Sequence, residues 1–126
     1  MTEAPYRVLV VDDEFASLEV LALLLQGEGF QVLGASNGEE ALQRLAEAKV
    51  DLVITDYKMP KMDGSELCLS MLADPRYERI PIIFTSATYR QDVPRPKNVV
   101  AFFSKPLLFR DVLASVRRIL DGAPAL

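Results

Sequence analysis

The sequence predicts an α/β fold, a doubly wound parallel sheet, on three observations. Short apolar runs alternate with helix-like periodic segments along the whole chain, the pattern of successive βα units. The apolar runs are continuous rather than alternating, as in strands buried on both faces. Two of them, Val8-Leu9-Val10-Val11 and Leu52-Val53-Ile54-Thr55, run straight into acid, Asp12-Asp13 and Asp56. In an open parallel sheet the carboxyl ends of the strands form the edge where ligands bind.

Tyr6 to Val11 reads as the first strand, and a helix follows from about Glu14 to Glu28, stopping near Gly29. Asp13 is a candidate cap for that helix as well as a candidate rim acid. The helix is apolar over more than one stripe: Val20, Leu21 and Leu24 form one, and Phe15, Leu18, Ala22 and Leu25 another. A sheet covers one stripe. The remainder either packs on adjoining loops or forms a docking patch for a partner.

Gln31 to Ala35 is the second strand, Ser36-Asn37-Gly38 a turn, and a helix over about Glu39 to Lys49 turns Ala41, Leu42, Leu45 and Ala46 inward. The third strand, Leu52 to Asp56, is closed by the breaker run Met59-Pro60-Lys61-Met62-Asp63-Gly64. A third helix begins near Ser65, carries Leu67, Met71 and Leu72, and is ended by Asp74-Pro75. Ile80 to Thr85 is the fourth strand, with Pro81 near its start, where a missing N–H is tolerated. Tyr89 to Asn98 holds Pro94 and Pro96 without apolar periodicity, which argues against a regular fourth helix. Val99 to Ser104 is the fifth strand. The last helix, about Phe109 to Leu120, places Val112, Leu113, Val116 and Leu120 on one face.

At 126 residues the chain is read as one domain, 1–126 with its core over about 5–121. Its net charge of −4 lacks the basic footprint of a nucleic-acid binder. The single cysteine, Cys68, excludes an intramolecular disulfide and fits a reducing compartment. It lies in an apolar helical segment and reads as a small core residue. The amino terminus lacks a signal-peptide pattern, and Leu21 to Leu25 is too short to span a bilayer. A cytoplasmic location without membrane contact is expected. The chain has no histidine, which removes imidazole chemistry of its own.

Asp12, Asp13, Asp56, Ser86 and Lys105 all stand at strand carboxyl ends. Each alone is a weak signal, because caps, turns and solvated lysines are common there. Together they change meaning. Three converging carboxylates repel one another and call for a cation, and an oxygen-only set suits Mg²⁺. The inventory matches phosphoryl transfer, which needs positioning and charge stabilisation more than covalent machinery. Asp56 is the candidate nucleophile, Asp12 and Asp13 the metal ligands, and Lys105 and Ser86 the groups that bind phosphoryl oxygens.

At these residues the chain resembles a known family, the receiver domains of two-component response regulators. The matching pieces are Val10-Val11-Asp12-Asp13-Glu14, Asp56-Tyr57-Lys58-Met59-Pro60-Lys61-Met62-Asp63-Gly64, Pro81 to Ala87, and Phe102-Phe103-Ser104-Lys105-Pro106. The resemblance implies a five-stranded sheet of order 2-1-3-4-5. It implies that Asp56 accepts a phosphoryl group from a sensor histidine kinase, a histidine phosphotransfer protein or a small phosphodonor. Asp12, Asp13 and Asp56 would hold Mg²⁺ with the Lys58 backbone carbonyl. Ser86 and Phe102 match switch positions, Lys105-Pro106 a cis peptide, and Lys58 and Thr88 rim positions that tune phosphoryl lifetime. Phe15, Leu18 and Ala22 match the region that meets the kinase.

The chain stops after the last helix, so the expected unit is a signalling domain without an attached output module, acting on a downstream protein target rather than as an enzyme. The competing reading is a phosphorylation-independent docking module with the same fold. The complete acidic set argues against it, because repelling carboxylates give a docking scaffold nothing. A small phosphatase with an aspartyl intermediate would need a cap over its substrate, and no segment supplies one.

Overall fold

Residues 5–87 and 96–122 are described by the structure, a computed structural model of the chain. Five apolar runs form one parallel sheet in the order β2-β1-β3-β4-β5. The strands are β1 (Arg7–Val11), β2 (Gln31–Ala35), β3 (Leu52–Asp56), β4 (Ile82–Ser86) and β5 (Val99–Ser104). The helices among the described residues are α1 (Phe15–Gly27), α2 (Gly38–Glu47), α3 (Gly64–Leu72) and α4 (Phe109–Asp121). The sheet order and parallel pairing are those the sequence implied. The expected irregular segment between β4 and β5 falls largely outside the described residues.

The two-residue period of the central strands sorts their side chains into two cores. Leu9, Val11, Val53 and Phe84 point to one face, where Ala41 and Leu45 of α2 and Leu67, Cys68 and Met71 of α3 cover them. Val8, Val10, Ile54 and Ile83 point to the other, under Leu21 and Leu25 of α1 and Val112 and Val116 of α4. Both faces of β3 and β4 are closed, which is why these strands carry no alternating polar residues. Cys68 is buried, as expected, and burial, reinforced by the charge of Asp63, pushes its thiol up to about 12.

Several boundaries move for local reasons. β4 begins after Pro81, because Ile80 is drawn into the preceding turn by its N–H bond to the Tyr77 carbonyl, and it extends to Ser86 by pairing with Ser104. α3 starts at Gly64 under a reciprocal cap: Asp63 accepts from the Glu66 N–H, and the Glu66 side chain accepts from the Asp63 N–H. Asn37 caps α2 by accepting from the Glu40 N–H at 2.9 Å. Ala46, expected to face inward, is exposed; α2 buries Gly38, Ala41 and Leu45 instead. A bulge at Val100 interrupts the β4–β5 register and leaves that side chain outside the pairing.

α1 corrects the reading of its two stripes. Leu21 from one stripe and Leu25 from the other are buried together, and Leu18 packs beside them against Gly34 of β2. Phe15, Val20, Leu23 and Leu24 are exposed. At 100° per residue, positions 18, 21 and 25 share one arc, and that arc is the one the sheet covers.

Candidate functional site

The sheet register brings the candidate residues to one edge. Val11 pairs with Thr55, so Asp12 follows β1 at the level where Asp56 ends β3. Asp56 pairs with Thr85, and Ser86 pairs with Ser104, the residue before Lys105. The edge therefore reads Asp12, Asp56, Ser86, Lys105 across four adjacent strands, which lie about 4.8 Å apart. β1 and β3 flank the point where strand order reverses, the usual crevice in a doubly wound sheet.

Carboxylate oxygens of Asp12, Asp13 and Asp56 lie within 4.8 Å of one another. Asp12 and Asp56 are almost enclosed, at 6% and 9% exposure, whereas Asp13 is on the rim. α1 is entered through Glu14, whose N–H bonds Asp12 Oδ1 at 2.9 Å, so Asp13 is not the helix cap and stays with the acid group. The Asp56 carboxylate is oriented from two sides: Oδ1 accepts from the Tyr57 N–H at 3.0 Å, and Oδ2 lies 3.4 Å from Lys105 Nζ. Lys105 Nζ also lies 2.7 Å from Asp12 Oδ2.

The electrostatics follow from burial and proximity. Burial raises the pKa of Asp56, and the Asp12 charge adds to the rise against the opposing pull of Lys105. For Lys105, burial works against the charged form. Its hydrogen bond to Asp12 and the Asp56 and Asp12 charges outweigh that, and its pKa is raised. An ammonium thus partly neutralises a pocket of acids.

Ser86 is buried at the end of β4, and Phe102 is half-buried against the α2/α3 core. Lys58 is exposed beside Asp56, and Thr88 lies outside the described residues. The Lys105-Pro106 peptide is cis. Of the three candidate docking residues, Phe15 is 74% exposed, while Leu18 and Ala22 are half-buried and Leu18 packs into the core. The apolar surface of α1 runs instead through Val20 and Leu24, which with Leu107 and Phe109 line a groove of about 620 Å³. Asp12 and Lys105 line the same groove. Sequence reasoning missed this groove, because its other wall comes from residues some 80 positions further along the chain. It also missed the Tyr57 N–H on Asp56, a backbone contact that any residue but proline supplies.

Comparison with known proteins agrees with this geometry. The family model described as the response regulator receiver domain matches residues 8–117. The DNA-binding response regulator MtrA of Mycolicibacterium paratuberculosis is 34% identical over 94% of this chain and 54% of its own length. The chain spans about half the length of the curated relatives it matches. Among solved structures, response regulator TrrA of Thermotoga maritima, in complex with Mg²⁺ and BeF, has a TM-score of 0.81 at 33% identity, covering 91% of this chain and 99% of that one. Chemotaxis protein CheY4 of Vibrio cholerae has a TM-score of 0.84 at 27% identity, covering 93% of this chain and all of its own. Fold, site and sequence match place the chain in the response regulator receiver domain family.

Proposed function

We propose that this receiver domain accepts a phosphoryl group on Asp56 from a phosphohistidine of a partner, with Mg²⁺, and that the modified site changes the domain's protein contacts. The observation that carries the reading is the convergence of three carboxylates and one ammonium on a single sheet edge. Three carboxylates whose oxygens lie within 4.8 Å of one another form an oxygen-only donor set, the kind that suits Mg²⁺. Asp12, Asp13, Asp56 and the Lys58 carbonyl would hold it. Bound there, Mg²⁺ offsets the negative charge on the phosphoryl oxygens.

The chain's own groups supply the rest. A carboxylate oxygen of Asp56 forms the new bond to phosphorus as the phosphorus–nitrogen bond of phosphohistidine breaks, and the imidazole leaves. The Tyr57 N–H and Lys105 orient the nucleophile. Lys105 would bind one phosphoryl oxygen, and the Ser86 hydroxyl at the neighbouring strand end another. Drawing Ser86 toward the group opens space for Phe102, and the domain's two-state equilibrium shifts accordingly. Lys58, exposed beside Asp56, and Thr88 tune how long the phosphoryl group survives.

The groove between α1 and the start of α4 supports docking of a sensor histidine kinase or phosphotransfer protein: it is apolar, and it opens beside Asp12 and Lys105. No helix among the described residues is long and apolar enough to cross a membrane. A cytoplasmic signalling domain, with no nucleic-acid contact of its own and no turnover as a classical enzyme, is the reading we adopt. Intact-protein mass spectrometry after incubation with a small acyl phosphate and Mg²⁺ tests it. Wild type gains a phosphate adduct that EDTA prevents, and Asp56→Asn gains none. An unmodified wild type that nonetheless binds Mg²⁺ and also refuses phosphoryl transfer from phosphohistidine donors would leave the docking module instead.

A further inference from the structure

The loop that follows Asp56 is held by an element that supplies none of the site's side chains. The Gly38 N–H, first residue of α2, donates to the Met62 carbonyl at 2.9 Å. An N-terminal helix N–H has no partner within its helix and is usually met by a cap or water. Here the cap Asn37 serves Glu40, and the Gly38 donor is spent on the loop. The approach leaves no space for a side chain. A Cβ at Gly38 would stand 2.6 Å from Met62 Cγ and 2.8 Å from the Met62 carbonyl oxygen, and the second of these is backbone that cannot swing aside.

The same loop is pinned at both ends. The Tyr57 N–H donates to the Thr85 carbonyl at 2.8 Å, and the Gly64 N–H donates to the Tyr57 carbonyl at 2.9 Å. A Cβ at Gly64 would run into the Asp56 carbonyl. Between these pins Lys61 takes φ 65°, a left-handed conformation unfavourable for a residue with a side chain. Such a residue persists where its surroundings over-determine the backbone, and Lys61 directly precedes the Met62 carbonyl that Gly38 holds. Met62 and Met59 also pack against the α2/α3 core, so the loop is gripped by packing as well as by the bond.

We propose that Gly38 is a positioning residue for the phosphoacceptor loop: through the Met62 carbonyl it holds residues 57–63 in the shape that presents the loop backbone to Mg²⁺. The inference rests on the metal-dependent reading above. By linkage, whatever the latch contributes to metal binding, metal binding returns to the latch.

Mg²⁺ titrations followed by amide NMR on wild type, Gly38→Ala and Gly34→Ala test it. Gly34→Ala is the matched control: it crowds Leu18 of α1, on the opposite side of the sheet from α2. Thermal unfolding of each variant establishes that it is folded at the titration temperature. Gly38→Ala weakens Mg²⁺ about tenfold, the size of effect expected when support behind a ligand is lost. Gly34→Ala leaves Mg²⁺ affinity within twofold of wild type. In wild type, Mg²⁺ slows hydrogen exchange at the Gly38 amide severalfold, a readout that stands even where Gly38→Ala does not fold. Equal Mg²⁺ affinity in wild type and Gly38→Ala overturns the latch alone, as does equal loss in Gly34→Ala or unchanged exchange at Gly38. A wild type that binds no Mg²⁺ overturns the metal-dependent reading and the latch with it.

Discussion

Lys105 Nζ lies 2.7 Å from Asp12 Oδ2 and 3.4 Å from Asp56 Oδ2, so the ammonium leans toward the acid that is not the candidate nucleophile. Without a metal, Lys105 is the cation that makes the acid cluster tolerable. On the proposed reading, a divalent ion held by Asp12 would take over that duty and leave Lys105 to pair with Asp56 or a phosphoryl group.

Removing this cation exposes the dependence. Lys105→Ala is expected to cost about 2 kcal/mol of stability in EDTA, between the values for surface and fully buried pairs because the lysine is partly exposed. The cost should shrink when Mg²⁺ is added. Chemical denaturation with and without Mg²⁺ measures it, and a loss that ignores the metal would separate Lys105 from the acid cluster.

Asp56→Asn should stabilise the metal-free protein at neutral pH. Burial raises the native pKa of Asp56 above its ordinary 3.8. The native state therefore binds more protons than the unfolded state between those two values. The relative stability this group confers is present below pH 3.8 and is lost as pH rises through the native pKa. Asn carries no such loss. The Tm of the variant, followed by calorimetry in EDTA, should pull ahead of wild type as pH rises above 3.8, and the lead should level off once Asp56 is fully ionised in the native state. Mg²⁺ should close the gap, because it stabilises wild type by mass action.

Lys61→Gly relieves a left-handed conformation at the price of a more flexible unfolded chain. The first effect is about 1–2 kcal/mol and the second about 0.5–1 kcal/mol, so a net gain of about 0.5 kcal/mol is expected. Urea denaturation reads it. A clear loss of stability would mean that the lysine side chain makes a contact worth more than the strain.

α1 offers a paired test of core against surface. Leu25→Ala removes a fully buried side chain and should cost about 3 kcal/mol. Phe15→Ala and Leu24→Ala act on exposed or partly exposed residues, and Phe15→Ala should change stability by less than about 0.5 kcal/mol. If the groove receives the kinase, Leu24→Ala slows phosphoryl transfer from the kinase and leaves transfer from a small acyl phosphate unchanged. Stopped-flow transfer assays with both donors distinguish the two.

The strands were readable because a strand closed on both faces has to be a continuous apolar run, and Leu52 to Thr55 is one. Strands two, three and five begin and end where the sequence put them. The acids were readable for a related reason: Asp12, Asp13 and Asp56 interrupt such runs at their carboxyl ends, where the topology collects them. The inward face of α1 was not readable. Both of its stripes are apolar, and the choice of Leu18, Leu21 and Leu25 was made by the position of β1 and β2 beneath the helix. Ala46 failed for want of signal, since a small apolar residue is nearly indifferent to exposure.

Local pattern, then, determined the strands, the turn at Ser36-Asn37-Gly38 and the breaker run through Asp63-Gly64, the alternation that forces a parallel sheet, and the identity of the charged residues at the strand ends. Only the tertiary structure decided which carboxylate Lys105 favours, which stripe of α1 meets solvent, and that the first residue of α2 grips the loop beyond Asp56. The physical reason is range. Periodicity and capping act within a few residues of one chain segment, whereas ion pairing, covered faces and close backbone approach depend on which distant segments the sheet register sets side by side.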